Sequence, residues 1–255
     1  MKRALVVGAS GGIGGALVQG LQRNGHHVTT LSRSIDNFDI TDEACIIEAL
    51  GRVRGPFETI IVATGALEIG PYGPEKHLKA LCPEALAAQF TLNAVGPALV
   101  LKHSLQHIPS DRRAVFAALS ARVGSIGDIR LGGWYSYRAS KAALNQLIHT
   151  AAIEVARCHK QAICVTLHPG TVATRFTEKY SDHARVSARQ AASNLLAVIE
   201  NLSPSETGKF FDWSGAEVAW CRAVETGPVF LGRGGRKHRL RRRDFPDRPK
   251  RRIAG

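Results

Sequence analysis

The first 25 residues restrict the fold of this chain more than any other stretch. "RALVV", residues 3–7, is a short apolar run. "GASGGIG", Gly8 to Gly14, is a turn dense in glycine. "IGGALVQGLQRNG" then carries apolar residues at helical spacing and closes on Asn24-Gly25, a helix-stop signal. A strand that turns this tightly into a helix presents unpaired N–H groups at the helix N-terminus, and such groups bind phosphate. Gly8, Gly11, Gly12 and Gly14 would let the backbone approach a pyrophosphate and let the helix pack on the strand, with Ser10 and Ile13 in the same cradle. A plain tight turn is the competing reading. The setting, the first turn of an alternating α/β pattern, favours the phosphate cradle.

The rest of the chain keeps that alternation. "HHVTTL", "ETIIVAT", "RRAVFAAL", "QAICVTL" and "GKFFDW" read as further strands. "DEACIIEAL", "PEALAAQFTLNAVGPALVLKHSLQHI", "YSYRASKAALNQLIHTAAIEVARC" and "ARQAASNLLAVIEN" read as the helices between them. The strands are apolar on both faces, which marks a parallel sheet covered on both sides. The pattern predicts an α/β fold, a doubly wound Rossmann-type parallel sheet with helices on both faces, in a single domain over residues 1–220.

The formal charge of +13 resides mostly at the end. From Cys221 to Gly255 there are 12 Lys+Arg and 3 Asp+Glu, which leaves 22 basic and 18 acidic residues in the first 220. The tail "GRGGRKHRLRRRDFPDRPKRRIAG" has few apolar residues and no helical or strand period, so residues 221–255 are expected to be a disordered basic extension. Without aromatic interleaving it argues against nucleic acid as the partner. The five cysteines (Cys45, Cys82, Cys158, Cys164 and Cys221) are odd in number, widely spaced and form no CxxC pair. They argue against a disulfide framework or a metal site and for a reducing compartment. No run of about 18 apolar residues predicts a membrane span. Glycines interrupt the apolar run that follows Met1-Lys2-Arg3 too early for a signal peptide. A cytoplasmic protein is the expectation.

The chemistry concentrates in "GGWYSYRASKAAL", Gly132 to Leu144. On a helix, residues four apart share a face, so Tyr137 and Lys141 point the same way, whereas Tyr135 is followed at that spacing by Ala139. A free tyrosine titrates near pH 10, and a nearby cation lowers that value. Tyr137 beside Lys141 is therefore expected to donate a proton near neutral pH, with Trp134 and Tyr135 as walls of a substrate site. By spacing alone the pair occurs by chance in many helices, and its weight comes from the glycine turn. After the second strand, "TLSRS" has no acid to bind a ribose 2′-OH. It offers Ser32 and Arg33, and a guanidinium suits a 2′-phosphate. NADP(H) is the expected cofactor, with NAD(H) the alternative.

The spacing Gly8-x-x-x-Gly12-x-Gly14 and the run Tyr137-Arg138-Ala139-Ser140-Lys141 together resemble the short-chain dehydrogenase/reductase family, over residues 3 to about 220. "SARVGSIGD" and "GKFFDWSG" resemble its branch of C-factor signalling proteins and Sniffer-type carbonyl reductases. The resemblance implies that Tyr137 protonates a carbonyl oxygen as hydride arrives from the nicotinamide. It implies that Lys141 holds the nicotinamide ribose and lowers the tyrosine pKa, and that Asn93, in "FTLNAVG", holds a water linking the lysine to solvent. It puts Asp39-Ile40 at the adenine, although Asp39 reads equally well as an N-terminal charge before "TDEA". It puts Gly65 in a turn beside the cofactor. In "LHPGTVATRF" it assigns Pro169, Gly170 and the backbone of Val172 to the nicotinamide side and Thr174 to the pyrophosphate, while His168 reads as structural.

The sequence departs from the family in two places. The family's Asn-Asn-Ala-Gly is here Val62-Ala63-Thr64-Gly65, so no asparagine role carries over. Ala121 occupies the place of the serine that holds the substrate carbonyl. Ser120 is one residue early and should point to the opposite side of an extended chain, which leaves Ser125 as the expected catalytic hydroxyl.

Three functional readings compete. The first is an NADP(H)-dependent oxidoreductase acting on a small carbonyl compound or its alcohol, since "RFTEKYSDHARVS", Arg175 to Ser187, offers only a short polar lid. The second is a non-catalytic NADP(H)-binding regulator, suggested by the missing serine. The third, an acidic-surface binder acting through the tail, is the weakest. The resemblance implies a homodimer or homotetramer for the family and a monomer as the alternative in this branch, and the sequence itself does not decide the oligomeric state.

Overall fold

The computed structural model describes residues 1–129, 131–174 and 185–220. The basic tail and most of the expected lid lie outside the described residues. Six strands form one sheet: β1 (Arg3–Val7), β2 (His27–Leu31), β3 (Thr59–Val62), β4 (Ala114–Leu119), β5 (Ala162–His168) and β6 (Phe210–Asp212). Every pairing is parallel and the order is β2-β1-β3-β4-β5-β6. The chain leaves β1 for β2 on one side and returns to β3 on the other. A ligand crevice opens at such a reversal, outside the carboxyl ends of the strands.

The helices are α1 (Gly12–Arg23), the short α2 (Arg33–Asp36), α3 (Glu43–Arg52), α4 (Pro83–Phe90), α5 (Gly96–Ser104), α6 (Tyr135–Cys158) and α7 (Ala188–Asn201). Strand alternation sorts them onto two faces. Leu5, Val7, Ile60, Val62, Phe116 and Ala118 meet Ile46 and Leu50 of α3, Val100 and Leu101 of α5, and Leu144 and Ile148 of α6. Their neighbours in sequence, Ala4, Val6, Ile61, Val115 and Ala117, meet Leu17 and Leu21 of α1 and Leu195 and Ile199 of α7. Strands buried on both faces need this unbroken apolar sequence, which is why they show no polar alternation.

The long helix expected over residues 83–108 forms with an interruption. Thr91–Val95 is a π-turn between α4 and α5, and Leu105–His107 tightens to a 3-10 turn. Such bulges gather at functional positions, and this one carries Asn93. By length and composition, Pro83–His107 is long and apolar enough to cross a membrane. Here it packs against α6 and buries Gln89 and Asn93 in the interior.

The glycine turn is held by main-chain bonds from the amides of Gly8 and Ala9 to the carbonyl of Leu31, which tie it to the end of β2. Gly8 has φ +87°, and a Cβ there would strike Thr64 Cγ2 at 2.9 Å. A Cβ on Gly14 would overlap the Gly8 carbonyl oxygen. The helix therefore seats on the strand only because both positions lack a side chain. Gly14→Ala is expected to lower stability by about 1–3 kcal/mol, the usual cost of overpacking, measured as a fall in the urea midpoint at constant m-value.

Candidate active site

The site grows from the carboxyl ends of β1, β3, β4 and β5. Tyr137 sits in the first turn of α6, with Lys141 one turn further along the same face. Both are buried, at 6% and 2% exposure. The Lys141 Nζ donates to the carbonyl of Leu119, the last residue of β4, at 2.8 Å, and lies 5.9 Å from the centroid of the Tyr137 ring. Gly124 packs on the backbone of α6 at Lys141, so the turn after β4 fits against this helix. Trp134 precedes the helix and meets the Tyr137 ring edge-on at 6.2 Å, while Tyr135 is half-buried beside it.

Asn93 reaches the same place from the π-turn. Its side chain grips one residue from both ends: the Ala66 amide donates to Oδ1, and Nδ2 donates to the Ala66 carbonyl, each at 3.0 Å. Nδ2 also meets Gln89 Oε1 and, at 3.4 Å, Ser140 Oγ. A Cβ on Gly65 would lie 3.3 Å from both Asn93 Oδ1 and Lys141 Nζ. The structure thus brings Gly65, Asn93, Lys141 and Tyr137 together. The Asn93 side chain thereby clamps the Ala66 main chain at both of its polar groups.

Across the crevice, Thr174 covers the glycine turn, since a Cβ on Gly12 would meet Thr174 Cγ2 at 2.8 Å. Ser10 and Gly11 are exposed at the turn and Ile13 is half-buried. Gly170 packs on Trp213, and Val172 is buried where residues 171 and 173 bond to Val186. Pro169 is half-buried between His168 and Gly170. At the end of β2, Ser32 is buried and both its amide and its hydroxyl donate to the Asp36 carboxylate, at 2.7 and 3.1 Å. Its side chain is therefore already bonded, and the exposed Arg33 is the basic group at that end, with the Asp36 carboxylate beside it. Asp39 accepts from the amide and hydroxyl of Thr41, and the hydroxyl bond chiefly holds its carboxyl below the usual value. The N-cap of α3 is Asp42, which accepts from the Ala44 amide, so Asp39 is not that cap. Ile40 is buried, with its carbonyl against Gly96.

Two expectations are corrected. Ser125 is buried and its hydroxyl donates to the Ala219 carbonyl at 2.6 Å, pinning the end of the domain rather than facing a substrate. Ser120 continues the alternation of Phe116 and Ala118 toward α6. Its buried hydroxyl has no partner among the described residues. The Tyr137 phenol is also not acidified. Burial pushes it well above its usual value, and the neighbouring ammonium does not offset this. Burial brings Lys141 down to about 7 and His168 to about 4, which keeps the imidazole neutral beside Asp212 and fits a structural role. Among the described residues no cluster of His, Cys, Asp and Glu could hold a metal.

A parallel sheet with a glycine turn at its reversal point and a buried Tyr/Lys pair facing that crevice defines a Rossmann-type α/β protein. Residues 8–211 match the family model described as Enoyl-(Acyl carrier protein) reductase, and the chain belongs to the short-chain dehydrogenase/reductase family. It is similar to the C-signal of Myxococcus xanthus, 34% identical over 135 residues that make up 53% of this chain and 78% of that protein. It is 32% identical over 139 residues to the 1-hydroxy-2-glutathionyl-2-methyl-3-butene dehydrogenase of Rhodococcus sp. (strain AD45). That match spans 54% of this chain and only 59% of the relative. Among solved structures it resembles the NADPH-bound carbonyl reductase from chicken fatty liver, with a TM-score of 0.72 and 25% identity over 86% of this chain and 99% of that one.

Two predictions follow from the polar interior. Asn93→Ala leaves the Ala66 amide and carbonyl unpaired. It should cost about 1–3 kcal/mol and speed hydrogen exchange at the Ala66 amide. For Lys141, the folded value of about 7 lies below the ordinary 10.5. Between these values the unfolded chain holds a proton that the folded chain lacks, so this group makes stability rise with pH across the window; below about 7 its cost is borne in full. Lys141→Met should abolish that rise when urea melts at pH 7 and pH 9.5 are compared.

Proposed function

We propose that the chain is an NADP(H)-dependent oxidoreductase that interconverts a small carbonyl compound and its alcohol. The observation that carries the reading is the buried Tyr137–Lys141 pair beside Gly65 and Asn93, facing the crevice whose other wall is the glycine turn. The glycine turn suits a dinucleotide because it opens α1, whose first amides lack helical partners, while Gly8 and Gly14 let that helix seat closely on the strand. Gly8, Ser10, Gly11, Gly12, Ile13 and Gly14 would hold the pyrophosphate with Thr174. Ser32, Arg33, Asp39 and Ile40 would hold the adenosine half, and Gly65, Asn93, Lys141, Pro169, Gly170 and Val172 the nicotinamide half. Arg33 is the group suited to a 2′-phosphate. The likeness to an NADPH-bound carbonyl reductase supports the same cofactor.

When bound, the cofactor supplies a hydride to the carbonyl carbon. Tyr137 gives its phenolic proton to the carbonyl oxygen, so the substrate gains hydride at carbon and a proton at oxygen and leaves as the neutral alcohol. The Lys141 ammonium, close to the ring, favours the phenolate left behind. Asn93 keeps the Gly65–Ala66 turn in place. A second reading, a non-catalytic NADP(H)-binding regulator, is favoured by one observation: Ala121 has no hydroxyl and the Ser125 hydroxyl is committed to Ala219.

NADPH oxidation against a panel of aldehydes, ketones and quinones distinguishes the readings. On the enzyme reading, Tyr137→Phe lowers kcat/KM by about 10²-fold or more. Ala121→Ser raises it by about tenfold or more by adding a donor to the carbonyl oxygen. Tight NADPH binding with no turnover on any carbonyl would favour the regulator. Arg33→Ala should weaken NADPH binding by about tenfold or more, the worth of a bond to a charged group, and leave NADH binding unchanged.

A further inference from the structure

α6 carries Tyr137 in its first turn, yet that turn has no cap of its own. Trp134 stands at the N-cap position without a capping side chain, and no acid occurs in the first turn. The unpaired N–H groups of a helix start must find partners, and a negative charge is favoured there. Both are supplied by Glu75, 61 residues upstream in the connection between β3 and α4. Its carboxylate accepts from the Ser136 amide at 3.2 Å and from the Ser136 hydroxyl. Its main-chain carbonyl accepts from the Trp134 amide. A Cβ on Gly133 would lie 3.1 Å from that same carbonyl, so the strand of chain entering α6 runs directly against Glu75.

The residues so held are in unusual states. Glu75 is an acid at 5% exposure, where carboxylates are rarely found without partners. Trp134 is a bulky side chain at φ +56°, a strained conformation that persists only where the surroundings enforce it. Its indole meets the Tyr137 ring edge-on. On this side Glu75 makes bonds at two points of the chain, through its main-chain carbonyl to the Trp134 amide and through its carboxylate to Ser136. The Arg138 guanidinium adds one from the other side, donating to the Gly133 carbonyl at 2.9 Å.

We propose that Glu75 is a positioning residue for Tyr137, capping α6 from outside and fixing the Trp134–Ser136 turn so that the phenol keeps its bearing toward the crevice. The proposal rests on the proton-donor role given to Tyr137 above. A misplacement of the order of 1 Å in a reacting group can cost about 10²-fold in rate.

The test uses the full chain with Glu75→Ala, Glu75→Gln, Ser136→Ala and, separately, Tyr137→Phe. For each, kcat and KM in carbonyl reduction, the NADPH Kd and the near-UV circular dichroism of the Trp134–Tyr137 pair are measured. Glu75→Ala should lower kcat by about 10–100-fold with NADPH Kd unchanged within twofold, and should change the near-UV signal. Glu75→Gln keeps an acceptor for the Ser136 amide and should restore both to near wild type. If Glu75→Ala does not fold, Ser136→Ala removes the hydroxyl bond to Glu75, keeps the amide bond, and should show the same split more weakly. A wild-type kcat in Glu75→Ala would overturn the proposal. So would a parallel loss of kcat and NADPH affinity in both Glu75 variants, which would mark a general loss of structure. If Tyr137→Phe is as active as wild type, the proton-donor reading fails. The near-UV signal then decides the positioning role alone, with an unchanged signal in Glu75→Ala refuting it.

Discussion

The bond from the Lys141 ammonium to the carbonyl of Leu119 ties the site to the fold. An ammonium buried to this degree is tolerated only with a partner. The carbonyl comes from the last residue of β4, where the ladder ends and main-chain oxygens are left over. The same contact joins α6, four residues beyond Tyr137, to the sheet edge. Burial then acts on both groups in opposite senses, raising the phenol and lowering the amine toward neutrality.

Two polar clamps of long sequence range complete this arrangement. Asn93 grips Ala66 from the π-turn and so fixes the turn after β3. Glu75, later in the same connection, grips the start of α6. The segment between β3 and α4 is therefore held at one end by the helix that follows it and at the other by the helix that carries Tyr137. A deviation from α-helical geometry at Thr91–Val95 is what allows Asn93, in the middle of a long helix, to reach a loop main chain at both ends.

Much of this was legible in the sequence, for identifiable reasons. The strands and most helices follow from apolar periodicity, and α6 and α7 begin and end at the residues their patterns suggest. The glycine turn is local, so its glycines could be read directly, and the i,i+4 rule separates Tyr137 from Tyr135. What escaped was non-local. The π-turn has no composition of its own, because "TLNAV" is a plausible stretch of ordinary helix. Glu75 acts across 61 residues, and a lone acid in "GPYGPEKH" carries no sign of a helix cap elsewhere. The pKa direction of Tyr137 was misread because spacing reveals the cation and conceals the depth of burial, and burial is the larger effect.

The hydroxyl near the end of β4 shows how finely strand parity governs such a site. Side chains one residue apart on an extended chain face opposite ways. Ser120 follows Ala118 into the α6 core, where its hydroxyl is buried, and the next position, Ala121, still extended, has only a methyl group. Ser125 lies beyond the 3-10 turn Arg122–Gly124, and that turn directs its hydroxyl to the Ala219 carbonyl. Neither serine can stand in for position 121 by rotating its side chain. Restoring a hydroxyl at that edge therefore calls for a substitution at Ala121 itself.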